Sequence, residues 1–561
     1  MSTTRFLLHV SILVAVRNVG AQLSPIMDCD ETFNYWEPLH YLLYGRGLQT
    51  WEYSPAYALR SYAYLGVNGL LGAPAYLRHA AGSETEKALV FFTIRAGLGL
   101  LSAVGEALLC DAARSRFGPR VSWLTFLFLA TNAGMFHASV ALLPSSACML
   151  MVLYGFAAWF SERHLLGLFC GAAAVLLCWP FSALMFVPMG LHALYARGFM
   201  PVLFTAITSL ALFVGIPVLV DSALYGKPTF AIGNLILYNV LGHGGGGQGA
   251  DLYGTEPWTF YLRNLILNLN LVALLAFASP VVVLALWPYQ KIPKPFPTSA
   301  RMVLVYLSPA FASLALFTSM PHKEERFLSM VYPVLCVGAA LSAHLVLEFI
   351  TGAVPSSVSA LRDIIRLGWV NVVLLSCLLS VCRSAGLYVN FSAPLRVFGA
   401  LQTVPEASKL APASTNDMLT VCVGKEWYRY PSSFLLPANA RVAWTRNKFR
   451  GVMPQEFSPW PNGTREVHAH FNDQNADESS AYVPVDTCDF AVDLAVGKDY
   501  GDIGDWTRGG DGKQRWEKVF CAPFMDASRS PVYIRSFYVP HFSEKRNRYA
   551  EFCLLRASQQ E

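Results

Sequence analysis

Asp28, Asp30 and Glu31 fall within four residues of one another in the stretch MDCDETFNYWEPLHYL, and Phe33, Tyr35, Trp36 and Glu37 follow at once. Carboxylates beside aromatic rings at a dielectric boundary keep shifted proton affinities, which suits acid–base work, and aromatic faces stack on sugar rings. Two other readings stay open. Asp28 or Asp30 can cap a helix running through ETFNYWEPL, and Asp28-Cys29-Asp30 is a short D-x-D match to a metal site. A second cluster, PHKEERF, supplies His322, Lys323, Glu324, Glu325 and Arg326. It reads either as a solvated turn or as three cations suited to an anionic ligand, a phosphate above all. LQTWEYSPAYALRSY adds Trp51, Glu52 and Arg60, and DLYGTEPWTFYLRN adds Tyr253, Glu256 and Trp258. Singly these residues suit an interfacial aromatic belt; together they outline an amphipathic groove friendly to sugars. The HGGGGQG run, His243–Gly249, lacks the strand–loop–helix setting and the lysine of a phosphate cradle, and reads as a flexible insertion.

The elements that position these residues are set by hydropathy. The 561-residue chain is 54% hydrophobic and only 14% charged, with a mean hydropathy of +0.39, too apolar for a soluble globular protein. Apolar runs of about 18 residues or more, long enough to cross a hydrocarbon core of about 30 Å, recur up to Arg383. Eleven spans are expected, near 6–26, 88–110, 121–142, 145–161, 164–179, 180–196, 200–221, 260–288, 300–320, 327–350 and 364–383. The first is expected to be a retained anchor rather than a signal peptide. Residues 1–383 therefore read as a polytopic membrane domain carrying the polar loop 27–60, and residues 384–561 as a soluble C-terminal domain of α/β or mostly β type.

Orientation follows from parity. If the ambiguous segment Ser61–Leu77 lies in the interface, the basic loops RSRFGPR (114–120) and QKIPKP (290–295) fall on the cytosolic side, as the positive-inside rule demands. Loop 27–60, PHKEERF and the C-terminal domain then share the opposite, lumenal side. That domain carries Cys422, Cys488, Cys521 and Cys553, an even number compatible with two bridges in an oxidising compartment, their pairing open among three arrangements. It also carries the glycosylation sequon at Asn462, and a second sequon at Asn390 lies close to the membrane. The net charge of +5 is spread over loops and gives no nucleic-acid surface.

The blocks DCDETFNYWEPLHYLLYGRGLQTWEYSPAYALRSYAYL, LLPSS, WPFSA, DLYGTEPW, PHKEERFL and VCVGKEWYRYPSSFLLP resemble the dolichyl-phosphate-mannose-dependent alpha-1,2-mannosyltransferases of lipid-linked oligosaccharide assembly, glycosyltransferase family 22 with the GT-C fold. The resemblance implies a multi-pass endoplasmic reticulum membrane protein with a lumenal active site. It also implies dolichyl phosphate mannose as donor substrate, no cofactor, and mannose-containing oligosaccharides on dolichyl diphosphate as acceptors, extended at the seventh and ninth mannose. Related enzymes of glycosylphosphatidylinositol synthesis, the alternative acceptor class, typically place His-Pro before the acidic pair; here Asp28-Cys29 stands there.

An inverting transfer needs one base. On the resemblance Asp30 is the expected base, with Glu31 as runner-up and acceptor-positioning group. His322, Lys323 and Arg326 are expected to bind the donor phosphate. Asp28, Glu37, Trp51, Glu52, Tyr253, Glu256, Trp258, Glu324 and Glu325 are expected to support the acceptor or the cations, without a metal. A transporter or scramblase is the rival reading, with Arg95 and Glu106 as its intramembrane charges; a non-catalytic subunit is another.

Overall fold

The computed structural model describes residues 3–80, 87–240, 249–289, 298–405, 418–495 and 516–558. Most of the glycine-rich run and the 290–295 loop lie outside these residues. Two compact units result. One comprises Met1–Gln22, Leu98–Ile216 and Tyr253–Ser384; the other comprises Leu23–Gly97, Pro217–Leu252 and Ala385–Glu561.

Seven helices among the described residues are long and apolar enough to cross a membrane: Thr3–Leu23, Lys87–Phe117, Phe199–Tyr225, Leu271–Tyr289, Ala300–Ser319, Glu325–Ala353 and Ser356–Phe391. The expected spans 145–161, 164–179 and 180–196 correspond to the shorter helices Pro144–Phe160, His164–Cys178 and Ala183–Arg197, and two other expected spans are broken for chemical causes. The 121–142 segment divides at Asn132, whose side chain leaves the first helix and caps the second by accepting from the Met135 amide at 3.1 Å. The 260–288 segment breaks at Asn270, which has a φ of 44°. There Asn270 Oδ1 accepts from the Leu271 amide at 2.6 Å, so the first amide after the break is satisfied without water, and Nδ2 donates to Ser380 Oγ at 2.7 Å and to the Ser376 carbonyl at 3.2 Å. Ser61–Leu77 forms two short helices, Tyr62–Gly69 and Ala73–Ala80, joined by a 3-10 turn, and is not among the seven.

Inside the first unit Arg17 and Glu106 form a fully buried ion pair. Arg17 Nε and Nη2 reach the two carboxylate oxygens at 2.8 and 2.7 Å, Nη2 also donates to the Leu129 carbonyl, and Ser102 Oγ donates to Glu106 at 2.7 Å. Arg95, on the same helix as Glu106, is not its partner. Eleven residues of helix separate those two by about 16 Å of rise, whereas Arg17 approaches from a different helix.

The second unit contains a five-stranded sheet in the order Ala440–Trp444, Leu419–Val423, Phe490–Ala495, Tyr549–Ala557, Trp516–Met525. The first three strands are parallel and the rest antiparallel. Disulfides join Cys422 to Cys488 and Cys521 to Cys553, the latter between directly opposed residues of neighbouring strands. The segment RSFYVPHF forms no strand. Pro531 starts a short helix, Val532–Arg535, and after Pro540 the chain turns into Phe542–Arg546.

Glu106→Gln leaves Arg17 charged in an apolar interior without its counter-ion. A loss of about 3–5 kcal/mol is expected, read as a large fall in the thermal unfolding temperature of the detergent-purified protein.

Candidate active site

In the second unit the acidic stretch is a short helical turn, Cys29–Glu31, running into a π-helical segment, Thr32–Trp36, and then the Glu37–Tyr44 helix. Single π turns of this kind are uncommon and cluster at functional sites. The acids divide their work. Asp28 is the cap, its side chain accepting from the Asp30 amide at 2.9 Å. Glu31 is 4% exposed and accepts from Trp36 Nε1 at 3.0 Å. Asp30 stays half-buried, in the electrostatic field of Arg60. Arg60 itself donates to Glu52 and to the Tyr35 hydroxyl, both at 2.8 Å. The side-chain ligand atoms of Asp28, Cys29 and Asp30 lie within 4.8 Å of one another, so by distance alone they could gather round one cation.

Glu37 has no exposed surface. Its carboxylate accepts from the Ser433 amide at 2.6 Å, Ser433 Oγ at 2.8 Å, Ser432 Oγ at 3.1 Å and the Leu48 amide at 3.2 Å. Burial pushes its proton affinity up, and these donors oppose the shift. Glu37 is therefore a structural carboxylate rather than an acceptor contact. The same face is tied down again by Thr32 Oγ1, which donates to the carbonyls of Tyr430 and Pro431 at 3.0 Å. Further along, Leu48 and Gln49 pair with Glu456 and Gln455 as a two-stranded ribbon. The return of the chain requires glycine: Gly45 ends the helix at a φ of 71°, and at Gly47 a Cβ would collide with the Glu37 carbonyl oxygen. Trp51 is also reassigned. Its ring is buried in a cluster with Leu59, Leu235, Tyr238 and Phe471, where it packs rather than offers a face to sugar.

In the first unit the PHKEERF turn sorts its charges. His322 Nε2 bonds Glu324 at 2.9 Å and Nδ1 bonds the Gly254 carbonyl at 2.8 Å. With an acceptor at each nitrogen the imidazolium is the form that satisfies both, and the Glu324 hydrogen bond raises its pKa above the usual 6.5 against the effect of burial. Arg326 pairs with the other Glu324 oxygen and lies over the Phe327 ring. Lys323 departs from expectation. It is 7% exposed, and its ammonium donates to the carbonyls of Met320, Pro321 and Glu256. All three N–H donors are committed to backbone, so Lys323 staples the turn instead of offering itself to a phosphate. Glu256 supplies a carbonyl to that staple, and its amide donates to Pro321 at 3.0 Å. Glu325 accepts from Asn268 Nδ2 at 2.6 Å. Tyr253 and Trp258 are exposed, at 44% and 65%. Of the two sequons, Asn462 is exposed. Asn390 is fully buried, donating to the Arg535 carbonyl and accepting from the Tyr549 hydroxyl, which leaves no room for a glycan.

The family model described as the Alg9-like mannosyltransferase family matches residues 8–437. The chain belongs to that family. The alpha-1,2-mannosyltransferase ALG9 of Mus musculus is 38% identical, covering 97% of this chain and 87% of its own length. The Arabidopsis thaliana ALG9 is 35% identical, covering 98% and 92%. Among solved structures, ArnT from Cupriavidus metallidurans in the apo state aligns with a TM-score of 0.53 at 13% identity over 98% of both chains. The chain is thus a multi-pass membrane glycosyltransferase of the Alg9-like family with a GT-C architecture, and the alignments to its relatives run on through the C-terminal sheet.

Sequence reasoning missed the roles of Ser432 and Ser433. Their signal, PSSFLLP, was visible as a polar pair within an apolar run, but its partner lies nearly four hundred positions away in the chain. Replacing Glu37 by Ala removes the acceptor of four buried donors; a loss of about 2–4 kcal/mol is expected at roughly 1–3 kcal/mol per stranded group with partial relaxation. It would appear as reduced thermal stability and faster proteolysis near residues 430–435.

Proposed function

We propose that this protein is an inverting alpha-1,2-mannosyltransferase of the endoplasmic reticulum membrane. In this reading it transfers mannose from dolichyl phosphate mannose to dolichyl-diphosphate-linked hexamannosyl and octamannosyl acceptors on the lumenal side. The observation that carries the proposal is the unbroken similarity to alpha-1,2-mannosyltransferases over almost the whole chain. Two disulfides in the C-terminal sheet suit a lumenal, oxidising compartment.

The mechanism is a single displacement. Asp30 takes the proton of the acceptor 2-hydroxyl as that oxygen attacks the anomeric carbon, and the bond from that carbon to the phosphate oxygen breaks. Asp30 suits the role because Asp28 is spent on a cap and Glu37 on the serine turn, while Asp30 stays half-buried near Arg60. Glu31, held by Trp36, orients the acceptor. The departing dolichyl phosphate gains negative charge, which His322 and Arg326 stabilise, with Glu324 setting their orientation and Lys323 the shape of their turn. No metal is required in this scheme.

Asp30→Asn should lower mannose transfer by about 100-fold or more, the usual weight of a general base, with acceptor binding kept and chelator without effect on wild type. Transfer near the wild-type rate would return Asp30 to a structural role. The pH profile tests the cations. Because Glu324 raises the pKa of His322, the positive charge persists above 6.5 and is lost as pH rises through the raised value. Glu324→Gln removes that support, so the alkaline fall in kcat/KM should move to lower pH.

A further inference from the structure

Arg95 lies within the membrane-spanning Lys87–Phe117 helix and is 2% exposed. Its Nη2 donates to the Ser24 carbonyl at 2.6 Å, but Nε and Nη1 have no hydrogen-bond partner. A buried guanidinium so poorly bonded costs several kcal/mol unless an anion balances it. The surroundings identify the anion. The guanidinium lies over the ring of Phe91, 5.3 Å from its centroid, one turn earlier on the same helix face. Phe91 in turn packs on Trp36 with centroids 4.3 Å apart. Trp36 Nε1 donates to Glu31, a reach of five residues that the π-helical winding provides. Glu31 is the carboxylate with which Arg95 interacts electrostatically, so the circuit Arg95–Phe91–Trp36–Glu31 closes on itself. Arg60, the cation beside Asp30, pairs with Glu52.

We propose that Arg95 is a positioning residue for the transfer reaction. Its charge and the flat face it shares with Phe91 hold the Glu31 carboxylate fixed and balanced, so that Glu31 orients the acceptor without Arg95 touching the reacting atoms. The inference rests on the acceptor-orienting role given to Glu31 above. A lysine would keep the charge but lose the planar contact with Phe91 and the simultaneous bond to Ser24.

The test is a double-mutant cycle on the full-length protein, with initial rates of mannose transfer from dolichyl phosphate mannose to a dolichyl-diphosphate hexamannosyl acceptor. Glu31→Gln and Arg95→Met should each lower kcat by about tenfold or more, with the donor KM within about twofold of wild type, and the double variant should be no slower than Glu31→Gln alone, as expected when one residue acts through another. Arg95→Lys should recover part of the loss. Multiplying losses in the double variant, or an undiminished kcat in Arg95→Met, overturn the proposal. A wild-type rate for Glu31→Gln would instead overturn the role assigned to Glu31 itself. If Arg95→Met fails to fold, the cycle of Arg95→Lys with Glu31→Gln decides: non-additive losses support the proposal, and losses that multiply overturn it.

Discussion

A carboxylate with no exposed surface must be surrounded by donors, or its desolvation costs the fold several kcal/mol. Glu37 meets that demand with two amides and two hydroxyls, and the form of the acidic loop follows from it. The Leu48 amide can reach the carboxylate only because Gly45 and Gly47 let the chain fold back on its own helix. The Ser432–Ser433 turn can reach it only because the following residue, Phe434, packs against Trp36 and His40. Thr32 adds its bonds to Tyr430 and Pro431 at the other end of the π segment. The turn that bears Asp30 is thus built jointly by residues near the start of the chain and residues beyond the last long helix. The family match ends at residue 437, just past the serine turn. The C-terminal region contributes foundation to the acidic loop, a physical reason for its presence in a membrane transferase.

The PHKEERF turn solves a different problem, that of crowding cations beside one another. Like charges a few ångströms apart repel unless shared anions or dipoles separate them. Three carbonyl dipoles absorb the lysine, and Glu324 sits between histidine and arginine, bonding both. Asn268 steadies Glu325 next door and lies within 3.3 Å of the Tyr332 hydroxyl. The result is a turn whose conformation is set before any ligand arrives, which is what electrostatic stabilisation of a leaving group requires. Net cationic character is kept on the two side chains whose charge is delocalised over a plane.

Much of this was legible in the sequence. Hydropathy located the long helices because a membrane imposes length and composition on each crossing, and the density of acids after the first helix marked the loop. The four C-terminal cysteines announced bridges but not their pairing, which only sheet register decides: Cys521 and Cys553 become partners because their strands align them. What stayed hidden was every role set by a distant partner. Lys323 looked like a ligand-binding cation, and its capture by three carbonyls depends on a bend that residue types do not encode. Trp51 looked like a sugar platform until residues 235–238 and 471 covered it. Three acids crowd one short stretch, and only the fold separates a capping Asp28 from a half-buried Asp30 and a clamped Glu31.

The charges inside the membrane helices carry a final distinction. In transporters intramembrane ionisable groups mark a pathway and must be able to change partners. Arg17 and Glu106 do the opposite: each is fully buried, and the carboxylate receives both Arg17 nitrogens and Ser102 at once. Opening such a pair in an apolar medium leaves both charges unbalanced, so the pair locks helices together. Asn270 shows the same logic with a neutral group, spending its side chain on the break it creates. Arg17, Glu106 and Asn270 thus fix helices in place, while Asp30, His322 and Arg326, to which the proposed mechanism gives proton transfer and phosphate binding, lie in turns of their respective units. That separation is compatible with the mechanism proposed above, in which the chemistry is carried by turn residues and the helices serve as framework.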